Sequence, residues 1–385
     1  MEIRDCLAED LDAALDVRAR SFGPLAAESH ERWRQMQLRA VSEGRLLAAY
    51  DGADLVATAR INALRQWWFG RAVRLAGIGG VVVAPEYRGR GVGKQLMAAV
   101  LGRANDHGYP LSALYPATAP VYRALGWELA GRQHFVTVPA EALRTLAEMT
   151  SPVAVRRAGP ADVADVMATV ARAHERDRDC GPIEWGQSEV AEDLAEDGYC
   201  AYLADDGFVG YQWNGSDTLD VDRLVASSEP TLRALWALVG SGSSVIRTVR
   251  ACVSPTDPLV FLTRDLGVQT DRDIWWMLRV IDAESAFAAR GYPPSAEIEV
   301  PLTVSDPDVE GNAGRWVLRV EGGRGELRPG EQVGLRLDAR GLASLFAGVG
   351  VTTLRRAGLA FDGSAADDAA LDAALSRPAF MLDYF

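Results

Sequence analysis

Cysteine and histidine are both scarce, with four of each in 385 residues. Cys6, Cys180, Cys200 and Cys252 have neither the density of a disulfide scaffold nor the pair spacing of a zinc site. His30, His107, His134 and His174 fall at no ligand-like interval, so no metal is expected. No stretch approaches the roughly 18 unbroken apolar residues of a membrane-spanning helix. The first ten residues, Met-Glu-Ile-Arg-Asp-Cys-Leu-Ala-Glu-Asp, place acids where an export signal carries positive charge. A soluble, cytoplasmic protein with no membrane partner is therefore expected. Positive charge is in deficit as well: 40 Lys and Arg against 53 Asp and Glu leave a formal net charge of −13. That balance argues against a nucleic-acid partner and lets the protein's field draw in cations, although acidic surfaces also serve solubility alone. What remains is a globular composition, 48% hydrophobic and 24% charged, in a chain too long for a single core.

Residues 2–4 are extended and lead through Ala8-Glu9-Asp10 into a helical pattern of Leu11, Ala14, Leu15 and Ala19. The design recurs where Val153–Arg156 leads through Gly159-Pro160 into Val163, Val166, Met167 and Val170. At one offset Ile3, Arg4, Asp10, Leu11, Ala19 and Arg20 face Val155, Arg156, Asp162, Val163, Ala171 and Arg172. So long a period fits a duplicated domain and not a solenoid unit. Strand-like runs at 45–50, 55–60 and 72–83 are broken by Asp51-Gly52 and by a turn region at Trp67-Trp68. After residue 285 the rhythm changes to strands at 297–304, 315–321 and 332–337, a turn at 322–325, and short helices at 338–348 and 367–375. The expectation is an α/β (α+β) chain of three domains, 1–150, 151–291 and 292–385, with a linker near Gly291-Tyr292-Pro293-Pro294. Trp33, Trp67, Trp68, Trp185 and Trp213 are expected mostly in the core, with a large pocket as the other use.

Residues 78–94 read Ile-Gly-Gly-Val-Val-Val-Ala-Pro-Glu-Tyr-Arg-Gly-Arg-Gly-Val-Gly-Lys, and a helical pattern continues from Gln95 to Leu101. The β-branched run ends at Pro85. Gly89, Gly91 and Gly93 free the backbone to turn successive N–H groups inward at a helix start, where the dipole also favours an anion. Arg88, Arg90 and Lys94 add positive charge beside them. The bland reading is a tight turn among solvated cations. Strand, proline, R-x-x-G-x-G and helix in unbroken order point instead to a pyrophosphate loop. The G-x-G-x-x-G of a dinucleotide fold is absent after the amino-terminal strand. The Walker pattern is absent too, since Lys94 is followed by Gln95.

This stretch resembles the acetyl-CoA motif of the GNAT acetyltransferase superfamily, with Arg88, Gly91 and Gly93 on its R-x-x-G-x-G/A positions. The resemblance implies that the strand Val81-Val82-Val83 splays from its neighbour and pairs its backbone with pantetheine. Tyr122, in Val-Tyr-Arg-Ala-Leu-Gly-Trp, falls on the tyrosine of the superfamily's Y-x-x-x-G-[FYW] element. A phenol with a pKa near 10 can protonate a departing thiolate, and packing is its alternative role. Tyr115, at a strand end before Pro116, is expected to pack or to bind substrate. The strand 77–84 holds no carboxylate, so the base must come from elsewhere. The chain ends Ala-Phe-Met-Leu-Asp-Tyr-Phe, apolar where termini usually fray, and a docked end would carry the Phe385 α-carboxylate inward.

Tandem halves, a third domain, Tyr122 and a terminal Phe385 together resemble the enhanced intracellular survival (Eis) acetyltransferases over essentially the whole chain. That resemblance implies an active GNAT domain, a degenerate GNAT domain, and a sterol-carrier-protein-like domain whose terminal Phe reaches the active site. It makes Tyr122 the general acid and the Phe385 carboxylate the general base. Acetyl-CoA contacts then fall on Val81, Val82, Val83, Arg88, Gly89, Arg90, Gly91, Val92, Gly93, Lys94, Ala117 and Thr118. The implied acceptor is an aminoglycoside, polyamine or lysine-like amine, on a small molecule or a peptide, and the implied assembly is a homo-oligomer, a hexamer. Family members often carry an acid just before the terminal Phe. Here that place holds Tyr384, with Asp383 one residue earlier, which leaves the accepted amine open. Ser227 to Thr231 in the second half offers a helix cap with no glycine nest or basic residue, so that half is not expected to bind coenzyme A. The alternative from another class is a non-catalytic module that senses acetyl-CoA or carries lipid.

Overall fold

The computed structural model describes residues 1–149, 152–264 and 267–385. Both halves open with a strand and then a helix, but the second half's strand is Arg156–Ala158, later than the 153–156 read for it, followed by the helix Val163–Asp177. In the first, β1 (Glu2–Asp5) leads into α1 (Leu11–Phe22), which buries Leu11, Ala14 and Val17, and then into α2 (His30–Ser42). Next come β2 (Leu46–Asp51), β3 (Asp54–Trp68), β4 (Arg71–Val83), α3 (Val92–Asp106), β5 (Leu111–Leu114), α4 (Ala119–Arg123) and β6 (Glu128–Pro139). β3 is longer than its hydrophobic run suggested. Trp67 and Trp68, read as a turn region, lie inside the ladder opposite Ala72 and Arg71, and the chain reverses at Phe69-Gly70, both at positive φ. The Trp68 indole is fully buried edge-on to Trp276 and Phe346, partners more than 200 residues away, so local sequence gave no sign that the tryptophans extend the strand.

The second half supplies β7 (Arg156–Ala158), β8 (Cys180–Glu184), β9 (Cys200–Ala204), β10 (Gly207–Asn214), β11 (Thr218–Ala226), β12 (Thr248–Val253) and β13 (Gln269–Val280). The halves share one sheet. β13 inserts between β5 and β6, antiparallel to both, while β6 goes on to pair with β12. Among the described residues this exchange of closing strands joins 14 strands into a single sheet. The domain limit read at 150/151 falls on residues outside the described ones.

The remaining residues form a five-stranded sheet with Ile298–Ser305 at its centre, flanked by Gly314–Glu321 and Leu335–Asp338. Its edge strand Arg324–Pro329, which starts after the positive-φ pair Gly322-Gly323, escapes a pattern search because only Leu327 in it is buried. The helix Val351–Arg356 is too short for the periodicity to register. The Gly291-Tyr292 segment is packed: Gly291 N–H donates to the Trp68 carbonyl at 2.9 Å, and the Tyr292 hydroxyl donates to that of Phe287 at 2.7 Å. A buried Arg279–Asp306 ion pair at 2.7 Å fastens β13 to this unit, and Glu128 of β6 pairs with Arg340. Third domain and shared sheet thus form one body, which fixes where the chain end can go. Among the described residues no helix is long and apolar enough to cross a membrane, and no group of three or more His, Cys, Asp or Glu could hold a metal.

Candidate active site

β4 and β5 run parallel in register from Leu75 opposite Leu111 to Ile78 opposite Leu114, where β5 ends. β4 continues to Val83, so Gly79–Val83 has no strand beside it on that edge. On its other edge a bulge at Gly80 (φ +62) shifts the pairing with β3 between Arg60–Gly79 and Thr58–Val82. A bulge bends the strand that carries it. The Val82 side chain is buried and anchors the strand, while Val81 and Val83 are half-buried. The open edge has no neighbouring strand, and although side chains donate to the Gly80 and Val83 carbonyls, from Thr58 at 3.4 Å and from Ser21 at 3.2 Å, it can take an amide-bearing chain as an added strand.

Beyond Val83 the backbone makes a turn at Pro85–Tyr87, and Gly89 (φ +73) and Gly91 (φ +80) take left-handed conformations. Gly91 is the N-cap of α3 and has no side chain to cap with. The first backbone bond of the helix runs from Gln95 N–H to Gly91 O at 3.1 Å, which leaves the N–H groups of Gly89 to Lys94 without a backbone partner among the described residues. Arg88 braces the loop by donating from Nε to the Val83 carbonyl at 3.2 Å, and Arg90 lies over the Tyr87 ring. Arg88, Arg90 and Lys94, the only lysine of the chain, are exposed. Uncapped N–H groups, a helix dipole and three cations make an anion site. The corresponding helix of the second half, Glu229–Gly240, caps itself instead: the Ser228 hydroxyl accepts from Thr231 N–H at 3.4 Å and Glu229 stands in its first turn.

After β5 come Tyr115 and the exposed Ala117 and Thr118, with Thr118 as the N-cap of α4. Tyr122 in α4 is 6% exposed. Burial, and then the neighbouring Tyr384 phenol, push its pKa up to about 12. Its hydroxyl makes no hydrogen bond among the described residues.

The chain end arrives here through a narrow passage. Ala379-Phe380 pairs parallel with Gly131-Arg132 of β6 and runs against Gly181 of β8, and a side chain on either glycine would collide with the tail's carbonyls. Met381 N–H donates to the Arg132 carbonyl at 3.2 Å, and Gln133 Nε2 donates to that of Leu382 at 3.2 Å. Asp383 pairs with Arg223 of β11, and its carbonyl accepts from the Tyr115 hydroxyl at 2.6 Å. The Tyr115 ring stacks on Tyr384 at 4.4 Å and meets Phe385 edge-on at 5.5 Å. Phe385 ends over Gly77 and Gly79 of β4, just before the open edge. The structure thus gathers Phe385, Tyr122 and the free edge at 81–83 into one place, with the glycine loop following directly from that edge. It gives Tyr115 a role the sequence did not disclose, that of a clamp on the tail.

A cavity of about 1240 Å³ opens between the two halves, with Leu382 to Phe385 in its lining. Most acids around it are taken: Asp193 pairs with Arg32, Asp220 with Arg250 and Asp383 with Arg223. Asp222 has no hydrogen bond or ion pair among the described residues. Its carboxyl opens to the cavity's water yet is walled by protein, and burial followed by Asp220 pushes it up to about 7 against the pull of Arg223. Asp220 and Asp222 alternate with the buried Leu219 and Val221 on β11, a signal that marks a strand face but not its ligand.

An open-edged strand that runs into a glycine loop and an uncapped helix is the active-site frame of an acetyl-CoA-dependent acetyltransferase. Residues 2–130 and 181–280 each match an acetyltransferase (GNAT) domain family, and residues 283–382 match the sterol carrier protein domain family. The crystal structure of a GCN5-related N-acetyltransferase from Kribbella flavida is similar over 100% of this chain and 98% of that one, with 48% identity and a TM-score of 0.95. The N-acetyltransferase Eis of Mycobacterium tuberculosis is 28% identical over 350 residues, covering 84% of this chain and 83% of the relative. The fold of Eis1 from Mycobacterium abscessus superposes over the full length of both chains with a TM-score of 0.77 at 24% identity. The chain belongs to the GCN5-related N-acetyltransferases. Within them it is Eis-like, an acetyltransferase with two GNAT domains and a sterol-carrier-like carboxy-terminal domain.

Proposed function

We propose that the protein moves an acetyl group from acetyl-CoA to a primary amine of a cationic acceptor by direct attack within a ternary complex. Acetyl-CoA supplies the activated thioester. Residues 1–150 hold it, through the open edge at Val81–Val83, the N–H groups and cations of Arg88 to Lys94, and the α4 start at Ala117-Thr118. Residues 151–291 wall the acceptor cavity and clamp the tail, and residues 292–385 deliver the tail. Tyr122 protonates the departing sulfur, and the Phe385 carboxylate orients the amine and receives its proton. A carboxylate with a pKa near 3.5 is a weak base towards a free ammonium. The proton becomes acidic once nitrogen bonds to the acetyl carbon, so a weak base held in place suffices at that stage. The observation that carries this reading is the delivery of the chain end to the open edge of β4, beside Tyr122.

The test is thiol release from acetyl-CoA in the presence of polyamines, aminoglycosides and lysine peptides, each against a buffer control. Release with none of them above the control would defeat the reading, and release with peptides alone would assign a protein or peptide lysine acetyltransferase. The loop assignment has its own test. Valine at position 91 would be forced to φ +80, a conformation costing a β-branched residue about 1–3 kcal/mol. Gly91→Val is therefore expected to raise KM for acetyl-CoA by about ten-fold or more, since each 1.4 kcal/mol is one decade. An unchanged KM would separate the loop from the coenzyme.

Asp222 supplies an acceptor-side prediction. Its carboxyl ionises as pH rises through about 7, so KM for a diamine is expected to fall across that range while KM for a monoamine stays flat. Asp222→Asn is expected to flatten the diamine profile and raise its KM about two- to five-fold, in line with a lost solvent-exposed charge pair. A diamine profile unaltered by the substitution would exclude Asp222 from acceptor binding.

A further inference from the structure

Two glycines on one face of β4 make room for the two parts of the terminal residue. A side chain on Gly77 would begin 3.0 and 3.1 Å from Cε2 and Cδ2 of the Phe385 ring, and 2.6 Å from Leu64 Cδ1. One on Gly79 would begin 3.4 Å from the terminal carboxyl carbon, 3.3 Å from Asn62 Nδ2 and 3.5 Å from Arg60 Nη2. The ring thus lies in a slot formed by Gly77, Leu64 and Tyr115, and the carboxyl lies in a polar recess above Gly79.

The recess lacks an anion among the side chains that build it. Asn62 is 8% exposed, and its Oδ1 accepts from Arg60 Nε at 2.8 Å, which turns Nδ2 the other way, where it finds no hydrogen-bond partner among the described residues. Arg60 Nη1 donates at 2.7 Å to Gln37, whose amide orientation follows from this network. Every hydrogen-bond partner of Arg60 is therefore neutral, and the charge that acts on it is the like charge of Arg45. Burial, and then Arg45, push the Arg60 guanidinium down to about 10. A half-buried cation with neutral partners beside a buried, unpartnered amide donor favours an anion that completes both. The strand below offers none, since residues 77–84 hold no carboxylate.

We propose that Gly77, Gly79, Leu64, Tyr115, Asn62 and Arg60 form a receptor for an aromatic carboxylate of the 3-phenylpropanoate type, filled by the chain's own Phe385 and able to take a free acid in its place. The site rests on the tail position used in the proposed function, but it is a binding site in its own right. The tail clamps at Tyr115–Asp383 and Arg223–Asp383 lie upstream of Phe385 and remain when that residue is absent.

The experiment uses the full chain lacking only Phe385. Titration calorimetry with 3-phenylpropanoate is expected to show saturable binding with a Kd of about 1–10 mM, the range open to a ligand of roughly a dozen heavy atoms. Acetate, which lacks the ring, and 3-phenylpropanamide, which lacks the charge, are expected to bind at least about ten-fold more weakly. Asn62→Leu in the same background is expected to weaken the acid by about ten-fold. Equal binding of acid and amide, or no saturable binding of the acid, overturns the receptor. The ligand series needs no second substitution, so it decides the matter even if the Asn62 variant folds poorly. Acetyl transfer measured in the same samples is expected to rise at least about ten-fold with saturating 3-phenylpropanoate. Selective binding without that rise supports the receptor and removes proton acceptance from the carboxylate.

Discussion

Deleting Phe385, or adding one residue after it, is expected to lower kcat by about 10²-fold or more while the affinity for coenzyme A changes by no more than about two- to three-fold. The first figure is the usual contribution of a positioned proton acceptor. The second follows from the geometry, since the anion site at Gly89–Lys94 is built from a loop and a helix start that, among the described residues, make no hydrogen bond to the tail. The two variants fail differently. Extension turns the α-carboxylate into an amide and moves the new carboxylate about 3.5 Å onward, one extended residue, while the ring can stay in its slot. Deletion removes ring and carboxylate together and leaves the Tyr384 carboxylate about one residue short. Steady-state kinetics beside calorimetric titration with coenzyme A would check both values. An extended chain with full kcat would take the terminal carboxylate out of the mechanism.

The parts of the site that read out of the sequence are those whose cause is local. A β-branched run, glycines at 89, 91 and 93, and a helix with no capping side chain are contiguous, and each residue's conformational preference is its own. The capped helix start of the second half, on which the expectation that it does not hold the coenzyme rests, was local for the same reason, since Ser228 caps a helix three residues from itself. The apolar terminus announced docking but not its address. That address depends on Gly131 and Gly181, about 200 to 250 residues upstream, which let the tail pass. The exchange of β6 and β13 has no trace in either strand, because hydrophobic alternation specifies a face and not a neighbour. Asp222, Arg60 and Asn62 stayed silent for a further reason. What distinguishes them is an incomplete set of partners among the described residues: none for the Asp222 carboxyl, only neutral ones for Arg60, and none for Asn62 Nδ2, which becomes visible only when everything around them is in place.

Tyr122→Phe is expected to lower kcat by about 10²-fold or more with little change in KM for either substrate, because a general acid acts in the transition state. The substitution is unusually clean here. The Tyr122 hydroxyl has no hydrogen bond among the described residues, so its loss should leave the midpoint of thermal unfolding almost unchanged and the ring in place. The pH behaviour follows with a definite sign. An acid must hold its proton to act, and burial pushes the Tyr122 pKa up to about 12, so the donor form persists through the working range. kcat/KM is expected to rise with pH as the acceptor amine loses its proton, with no falling limb from the acid below about pH 10. Tyr122→Phe should lower that curve without changing its shape. Burial holds the Tyr122 phenol above its ordinary range and so makes it a weaker acid than a free thiol, which favours donation while the carbon–sulfur bond breaks over donation to a thiolate already released. The rival donor is Tyr384, whose phenol is close enough to contribute to the Tyr122 shift and which is 65% exposed. Tyr384→Phe is the decisive companion: a larger fall in kcat there than at Tyr122 would transfer the acid role to the tail, and an unchanged kcat in Tyr122→Phe would leave Tyr122 as packing alone.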